Sequence, residues 1–306
     1  MLKTREHIAL LTAMKTAGLA LSLVRSFSED QLQTCCDRLN AVEVSVGSCR
    51  EYGKLQSTLV ENPGSIEHIR QLLAGSELIS EPKVHVQDPY SFRCVPQVHG
   101  AVKDTLRYVE SVIDIEINSA TDNPTVLPDE DLIVSAGNFH GEPIALPIDF
   151  LSIAMSELAN ISERRIYRLV SGTRGLPSFL VANPGVNSGF MITQYTAASC
   201  VSLNKSLAMP SSVDSIPSCQ DQEDLVSMGA NAAIKLQKVI LNTERVLAIE
   251  LFNAAQALDF RLPLKSSPAI CQIHQDFRRV VPFILNDELM YPHIERAVQF
   301  LRQQQY

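Results

Sequence analysis

The chain has 306 residues, of which 45% are hydrophobic and 20% charged, and its formal net charge is −8. This composition excludes an intrinsically disordered chain and leaves enough apolar residues for a sizeable core. The acidic balance argues against a nucleic-acid partner, whose phosphates require a basic surface, and is compatible with a protein that handles small molecules.

Seven cysteines are present, including the adjacent pair Cys35 and Cys36. An odd count in a large chain, without a C-x-x-C pair or closely spaced histidines, predicts neither a disulfide framework nor a zinc site. The N-terminal residues 1–27 keep helical polarity and lack a signal-peptide cleavage site, and no apolar run approaches the ~20 residues of a membrane span. We therefore expect a reduced, cytoplasmic protein without a metal.

Helical periodicity dominates the chain after a turn-rich segment at residues 42–90. The apolar pattern predicts helices over residues 97–117, 148–170, 190–207 and 223–262. The last would have about 35 residues and a length of roughly 50 Å, which is typical of extended bundles. The best strand signal is the short run 131–135. These features predict an all-α fold, an elongated antiparallel helical bundle with irregular loops, in one domain over residues 1–306.

Four segments between the apolar helices are polar and rich in turn formers, namely residues 87–93, 118–124, 137–143 and 221–224. Their side chains suit an amino-acid substrate. Arg93 could hold a carboxylate with two N–H groups, Tyr90 could take or give a proton, and Phe139 could pack on a flat ring. Beside Phe139, His140 is a further substrate-binding candidate.

Each of these residues also has a purely structural interpretation. Arg93 could be a surface ion-pair partner, Tyr90 a half-buried core residue, and His140 a structural histidine with satisfied nitrogens. Asn123 suits a turn or cap. The run Asp221–Asp224 could form the acidic first turn of the long helix, which the helix dipole favours. Taken singly, these structural interpretations are favoured, and no one residue indicates a reaction.

Taken together, the segments resemble histidine ammonia-lyase of the aromatic amino acid ammonia-lyase family in order and spacing. The motifs are VQDPYSFRCVPQVHG, EINSATDNP, SAGNFHGEP, ELANISERRI, GVNSGFM, NKSLAMPSSVDS and QEDLVSMG. The resemblance is carried by residues 84–262, follows a divergent region at 1–83, and continues weakly through 263–306. It implies a helical bundle of the ammonia-lyase/fumarase-like type and a homotetramer whose active sites combine residues of three subunits. The implied reaction is elimination of ammonia from histidine to give urocanate.

The resemblance implies a role for each matching position. Gln87 is similar to the glutamine that hydrogen-bonds near the family's electrophile, and Tyr90 to the active-site tyrosine. Arg93 is similar to the carboxylate-binding arginine, and Phe139 to the phenylalanine that lines the pocket. Glu223 is similar to the glutamate at the imidazole end of the substrate, where it could also serve as a helix-start carboxylate.

Four departures from the family pattern affect catalysis. The family makes its electrophile, methylidene-imidazolone (MIO), from an Ala-Ser-Gly tripeptide, and that tripeptide is absent from the 306 residues. The sequence at 12–15 departs from the Asn-Gly-Thr-Gln motif that carries the amine-contacting asparagine, and the family's N-terminal tyrosine loop is missing. Leu225 replaces a histidine. We therefore expect the chain to start downstream of the MIO segment and to be inactive alone.

Three hypotheses follow. The chain could be an ammonia-lyase subunit that contributes part of the pocket, within a homo-oligomer or beside a complementary N-terminal chain carrying MIO. It could instead be a catalytically inactive relative that acts as a binding or regulatory subunit. The third class is the fumarase and argininosuccinate lyase superfamily, whose Gly-Ser-Ser-x-Met-Pro loop is only faintly matched at 208–212. The first hypothesis is favoured.

Overall fold

The computed structural model of the protein describes residues 72–80 and 88–303. The elements in chain order are α1 (Glu77–Ser80), α2 (Tyr90–Arg93), α3 (Val95–Glu116), β1 (Thr125–Leu127), β2 (Leu132–Val134), α4 (Glu142–Val170), α5 (Met191–Leu207), α6 (Gly229–Asp259), α7 (Pro268–Arg278) and α8 (Tyr291–Gln303). The predicted all-α bundle is confirmed. The predicted N-terminal helix and residues 42–71 lie outside the described residues.

The core lies between α4 and α6, with α3 and α5 packed on α4 and α8 packed on α6. The apolar stripe predicted for the long helix is buried over its whole length, at Leu236, Val239, Ile240, Leu247, Leu251, Ala254 and Leu258. It meets buried residues of α4 that include Leu151, Met155 and Leu158. Burial of two such stripes removes a large apolar area from water, which is the main favourable contribution to folding.

Hydrogen bonds show that α4 and α6 run parallel and in register. Thr243 Oγ1 donates to the Met155 carbonyl oxygen at 3.1 Å, and Ser162 Oγ donates to Glu250 Oε2 at 2.6 Å. Both pairs are 88 residues apart in sequence. A Cβ added at Gly229 would lie 3.7 Å from the carbonyl oxygen of Gly141. The first turns of the two helices are therefore neighbours at one end of the bundle.

Helix α5, which lies between α4 and α6 in the chain, runs in the opposite direction. Thr193, near the start of α5, bonds Asn253, near the end of α6, with 2.9 Å between the side-chain oxygens. At the other end of the pair, Asn204 bonds Thr243. Helix α5 is thus antiparallel to both α4 and α6, as predicted.

The predicted start of the long helix at Glu223 is wrong. The helix begins at Gly229, because the residue before it, Met228, has a left-handed backbone with φ of 52°. Cys219, Gln220 and Asp221 are also left-handed. A run of left-handed residues cannot belong to a right-handed helix. The interpretation of Asp221–Asp224 as its acidic first turn is therefore also wrong.

Helix α4 is longer than predicted. It begins at Glu142, not Ile148, and continues through Pro147, which lies inside the helix and is buried. The missing N–H of Pro147 costs one backbone hydrogen bond. Its packing in the core compensates for that cost. The predicted end at Val170 is confirmed, and so are α3 and α5 to within two residues.

The predicted strand 131–135 is confirmed as β2, and it pairs antiparallel with β1, which the pattern did not reveal. Thr125 pairs with Val134 and Leu127 with Leu132. Most positions of both strands are exposed, so they lack the alternation of apolar and polar residues that marks a half-buried strand.

Among the described residues, α4 alone is long and apolar enough to span a membrane by length and composition. However, 61% of its most apolar 18-residue window is buried inside the protein. The apolar character of α4 is therefore explained by its central place in the core.

One face of α4 remains apolar and exposed. Leu146, Phe150 and Ile153 share a helix face by their spacing, and their exposed fractions are 52%, 46% and 46%. Tyr108 of α3 extends this face, with its ring centroid 6.1 Å from that of Phe150. An exposed apolar patch of this kind is typical of an interaction surface.

His99 of α3 is completely buried, and neither ring nitrogen has a hydrogen-bond partner within the described part of the chain. Burial, followed by the positive charges of Arg165 and Lys103, holds the pKa of His99 well below its ordinary value. The ring is therefore neutral in the folded protein. An unfolded chain returns it to water, where it binds a proton below a pH of about 6.5.

The pKa difference at His99 predicts acid-sensitive stability. The unfolded state binds the extra proton, so the free energy of unfolding decreases as the pH falls below about 6.5, by up to ~1.4 kcal/mol per pH unit, until the folded pKa is reached. Above a pH of about 6.5 the contribution of neutral His99 to the free energy of unfolding is fully present. His99→Leu should flatten this dependence in urea denaturation between about pH 5 and pH 8. Parallel stability curves for the two proteins would contradict the assignment.

Candidate functional site

Two of the predicted polar segments, 118–124 and 137–143, are joined by side-chain amides. Asn123 Oδ1 accepts hydrogen bonds from Ser135 Oγ and from the Ala136 backbone N–H, both at 3.1 Å. Asn138 Nδ2 donates back to the Ala120 carbonyl oxygen. The predicted turn role of Asn123 therefore extends further, because its side chain holds the loop that precedes α4.

His140 connects that loop to the segment preceding α6. Its Nε2 lies 3.2 Å from the Leu225 carbonyl oxygen, and its Nδ1 accepts from the Glu142 backbone N–H at 3.3 Å. The two partners are consistent only with a neutral ring that carries its proton on Nε2. Both nitrogens are thus occupied by backbone groups. The structural interpretation of His140 fits this geometry, and substrate binding by His140 stays a prediction.

Glu223 lies in a tight turn rather than in a helix. Ser218 and Glu223 form an antiparallel bridge in which the Ser218 N–H donates to the Glu223 carbonyl oxygen at 3.0 Å. The Ser218 hydroxyl also donates to Glu223 Oε2 at 2.5 Å. The three left-handed residues 219–221 form the turn between them. Non-glycine residues in this conformation are strained, and such strain is concentrated at functional sites.

Ser218 is a residue that the sequence analysis missed. Its hydroxyl fixes the orientation of the Glu223 carboxylate, although nothing in the sequence pattern distinguishes it from neighbouring serines. Only the closure of the 218–223 turn brings the two side chains together.

Phe139 and Tyr90 are both exposed, at 58% and 69%. Phe139 lies on the loop that His140 ties to the Glu223 segment. Tyr90 is the first residue of α2, so its interpretation as a half-buried core residue is wrong. Arg93 is the last residue of α2, and its side chain is not among those described. Gln87 lies outside the described residues.

The chain carries its predicted site residues in two places. The loop of Phe139 and His140 precedes the first turn of α4. The α2 turn instead lies beside Arg165, whose Nη1 donates to the Ser91 carbonyl oxygen at 3.3 Å. Arg165 is 24 residues beyond Gly141 in one continuous helix, a distance of roughly 36 Å. A single copy therefore cannot place Tyr90 and Glu223 around one amino acid.

No group of three or more metal-ligating side chains occurs within residues 72–80 and 88–303. The chemistry available at the two places is that of an amide, a phenol, a guanidinium, a carboxylate and aromatic rings.

Comparison with known proteins agrees with this arrangement of segments. Residues 1–279 match the family model described as aromatic amino acid lyase. The chain belongs to the aromatic amino acid lyase family. The match includes the region before residue 84, which the sequence pattern related to the family only as a divergent segment.

Within the family, the chain is similar to proteins named histidine ammonia-lyase. It is 52% identical over 240 residues to the histidine ammonia-lyase of Caldanaerobacter subterraneus subsp. tengcongensis, covering 78% of this chain and 47% of that protein. The crystal structure of histidine ammonia-lyase from Trypanosoma cruzi is 39% identical, with a TM-score of 0.75, and covers 97% of this chain and 55% of that one. The chain thus spans about half the length of these relatives.

Another protein with this fold is named for a different activity. Tyrosine aminomutase from Streptomyces globisporus superposes with a TM-score of 0.82 at 31% identity, over 97% of this chain and 57% of that one. The aromatic amino acid lyase fold of this chain is therefore shared by enzymes with different named reactions.

The bonds of His140 predict a local effect on the two loops of this lyase-family chain. His140→Ala removes both bonds, so amide hydrogen exchange should accelerate in residues 137–142 and 224–228. The unfolding free energy should fall by only about 1 kcal/mol per lost bond. His140→Asn separates the two bonds, because its shorter amide can accept from Glu142 but cannot reach Leu225. Unchanged exchange near Leu225 in both variants would contradict this role.

Proposed function

We propose that the chain is a subunit of a histidine ammonia-lyase-like enzyme, which eliminates ammonia from L-histidine to give urocanate. The observation that carries the proposal is the His140–Leu225 bond. It holds an exposed aromatic ring, Phe139, on a loop next to the segment of the Glu223 carboxylate. The names of the similar proteins support the same function.

At the Glu223 end, the proposed ligand group is the imidazole of histidine. Ser218 holds Oε2 of the carboxylate, and we assign Oε1 to accept an imidazole N–H. A carboxylate prefers such a donor to the plain ring edge of phenylalanine, which offers no N–H. Phe139 would pack on the flat ring of the substrate or of the electrophile.

At the α2 end, the proposed ligand group is the substrate carboxylate. Arg93 would bind it with two parallel N–H donors, which fix both position and orientation. Tyr90, whose side chain is exposed, would take or give a proton at the bound substrate. Gln87 would hydrogen-bond near the electrophile.

The electrophile itself would come from sequence beyond these 306 residues. In the family it is MIO, which acts as an electron sink when bound, and its Ala-Ser-Gly precursor is absent from the sequence here. The residues of this chain fit such a group, because the exposed ring of Phe139 can contact a flat heterocycle.

The separation of the two places by roughly 36 Å along α4 supports a site that is built from more than one chain. We propose a homo-oligomer, a tetramer by family resemblance, or an assembly with a complementary N-terminal chain carrying MIO. The apolar face of Leu146, Phe150 and Ile153 would be covered in it. A cytoplasmic location is part of the proposal.

A second candidate function is a binding or regulatory subunit without catalysis. Both candidates require that the chain bind an amino acid, and they differ in what happens after binding.

We predict that the 306-residue chain binds histidine in calorimetric titration, with one site formed between copies. Arg93→Ala and Glu223→Ala should each weaken binding about 10- to 100-fold, because each removes a charge-assisted hydrogen bond. Arg107→Ala is the matched control, since Arg107 is exposed and pairs with Asp104 in its own helix.

Mixing tests the shared site directly. If each site combines Arg93 of one copy with Glu223 of another, mixed oligomers of the two alanine variants should regain a fraction of the wild-type sites. Retained binding in both separate variants would contradict the residue roles. Failure of a mixture of exchanging subunits to recover any site would contradict assembly between copies.

We predict no urocanate absorbance from histidine with the purified chain alone. Addition of a family chain segment that carries Ala-Ser-Gly should produce turnover. Histidine binding without turnover in that mixture would favour the binding or regulatory subunit. Turnover by the chain alone would contradict the proposed external source of the electrophile.

A further inference from the structure

A fully buried ion pair joins the second half of α4 to α6. Arg165 and Glu250 are both 0% exposed, and the arginine binds the carboxylate with two N–H groups. The Arg165 Nη2 to Glu250 Oε2 distance is 2.9 Å. Ser162 adds a third donor to the same oxygen at 2.6 Å. Two nitrogens of the guanidinium, Nε and Nη2, are thus used by Glu250.

The remaining nitrogen reaches a different element. Arg165 Nη1 donates to the Ser91 carbonyl oxygen at 3.3 Å. Ser91 lies inside α2, between Tyr90 and Arg93. This helix has a single turn and makes few bonds of its own, so its carbonyl groups need partners from outside. On the same turn, Phe92 is completely buried.

A second arginine, Arg174, binds Asp88, which lies two residues before α2. Arg174 forms an ion pair with Asp88, whose side chain is 2% exposed. Arg174 is held in turn by Arg261, whose Nη2 donates to the Arg174 carbonyl oxygen at 2.5 Å. The segment 88–93 is therefore fixed on both sides to the end of the α4–α6 core.

Stability alone is a poor reason for a buried ion pair. The loss of hydration of two charges offsets most of their attraction, and apolar pairs of similar volume are often as stable. A guanidinium, however, can bind a carboxylate with two nitrogens and still donate from a third. Neither a lysine nor an apolar residue has this geometry. The ion pair is therefore best explained by the hydrogen bond that Arg165 Nη1 donates to the Ser91 carbonyl oxygen.

We propose that Arg165, oriented by Glu250, is a positioning residue that fixes the α2 turn and thereby aims Tyr90 and Arg93. The fixed turn follows from the contacts alone, whereas its benefit to ligand binding rests on the proposed function of Tyr90 and Arg93.

The test uses the 306-residue chain and two readouts, amide hydrogen exchange in residues 90–95 and calorimetric affinity for histidine. Arg165→Lys keeps a positive charge but loses the planar guanidinium with its several N–H donors. The double variant Arg165→Met, Glu250→Leu replaces the ion pair by apolar groups. Arg164→Met is the matched control, because Arg164 is the adjacent arginine and is 57% exposed.

We expect the double variant to keep the helical content and melting temperature of the wild type. Its exchange in residues 90–95 should nevertheless rise and its histidine affinity fall, each roughly tenfold. If Arg165 had a purely structural role, amide hydrogen exchange would increase in α4 and α6 together with that in α2. Arg165→Lys should show the same local pattern, and the control should show neither change.

The outcomes separate this inference from the proposed function. Unchanged exchange in residues 90–95 of a folded double variant would overturn the positioning role. Locally increased exchange in a chain whose wild type binds no histidine would support the positioning of α2 and count against the proposed function.

Discussion

The parallel, in-register packing of α4 against α6 is the constraint on which the rest of the structure depends. It buries the apolar stripes of both helices and aligns polar pairs such as Thr243 with the Met155 carbonyl. It also places the first turns of the two helices next to each other, at Gly141 and Gly229. Loops that precede neighbouring helix ends must meet. The contact between the His140 and Leu225 loops follows from this packing.

The same packing separates functional groups that the family reaction needs together. The α2 turn lies beside Arg165 in the second half of α4, whereas the Phe139 loop lies at its first turn. A straight helix of 29 residues cannot bring its two ends together. The proposed site residues of one chain therefore lie at both ends of α4 rather than around one point.

Polar contacts hold each partial site to the core in a different manner. At the α2 end, a buried guanidinium donates to a backbone carbonyl group, so the position of the turn depends on a charged pair inside the core. At the other end, the contacts of His140, Asn123 and Ser218 are more exposed and involve no buried ion pair. These exposed contacts are weaker than the buried ion pair and permit local opening of the loops, which is common in loops that bind ligands.

The sequence predicted the long helices well, because their apolar periodicity arises from the same burial that stabilises them. It also indicated the family, through motifs whose order survives in the loops. Boundaries that depend on single residues were less predictable. The apolar pattern predicted a helix start at Ile148, yet α4 begins at Glu142 and contains Pro147. Glu223 suited a helix N-terminus by charge, yet the left-handed backbone at Met228 delays α6 to Gly229.

What the sequence by itself determined is the helical class, the stripes that form the core, and the residue types offered to an amino-acid substrate. Only the tertiary structure decided where those residues lie. The partnership of Ser218 with Glu223, the bond from His140 to the Leu225 backbone, and the roughly 36 Å between the two ends of the site all depend on contacts between distant segments. Local periodicity reports which face of a helix is buried. It contains no information on which ends of two helices meet, because that choice is made by packing across the whole core.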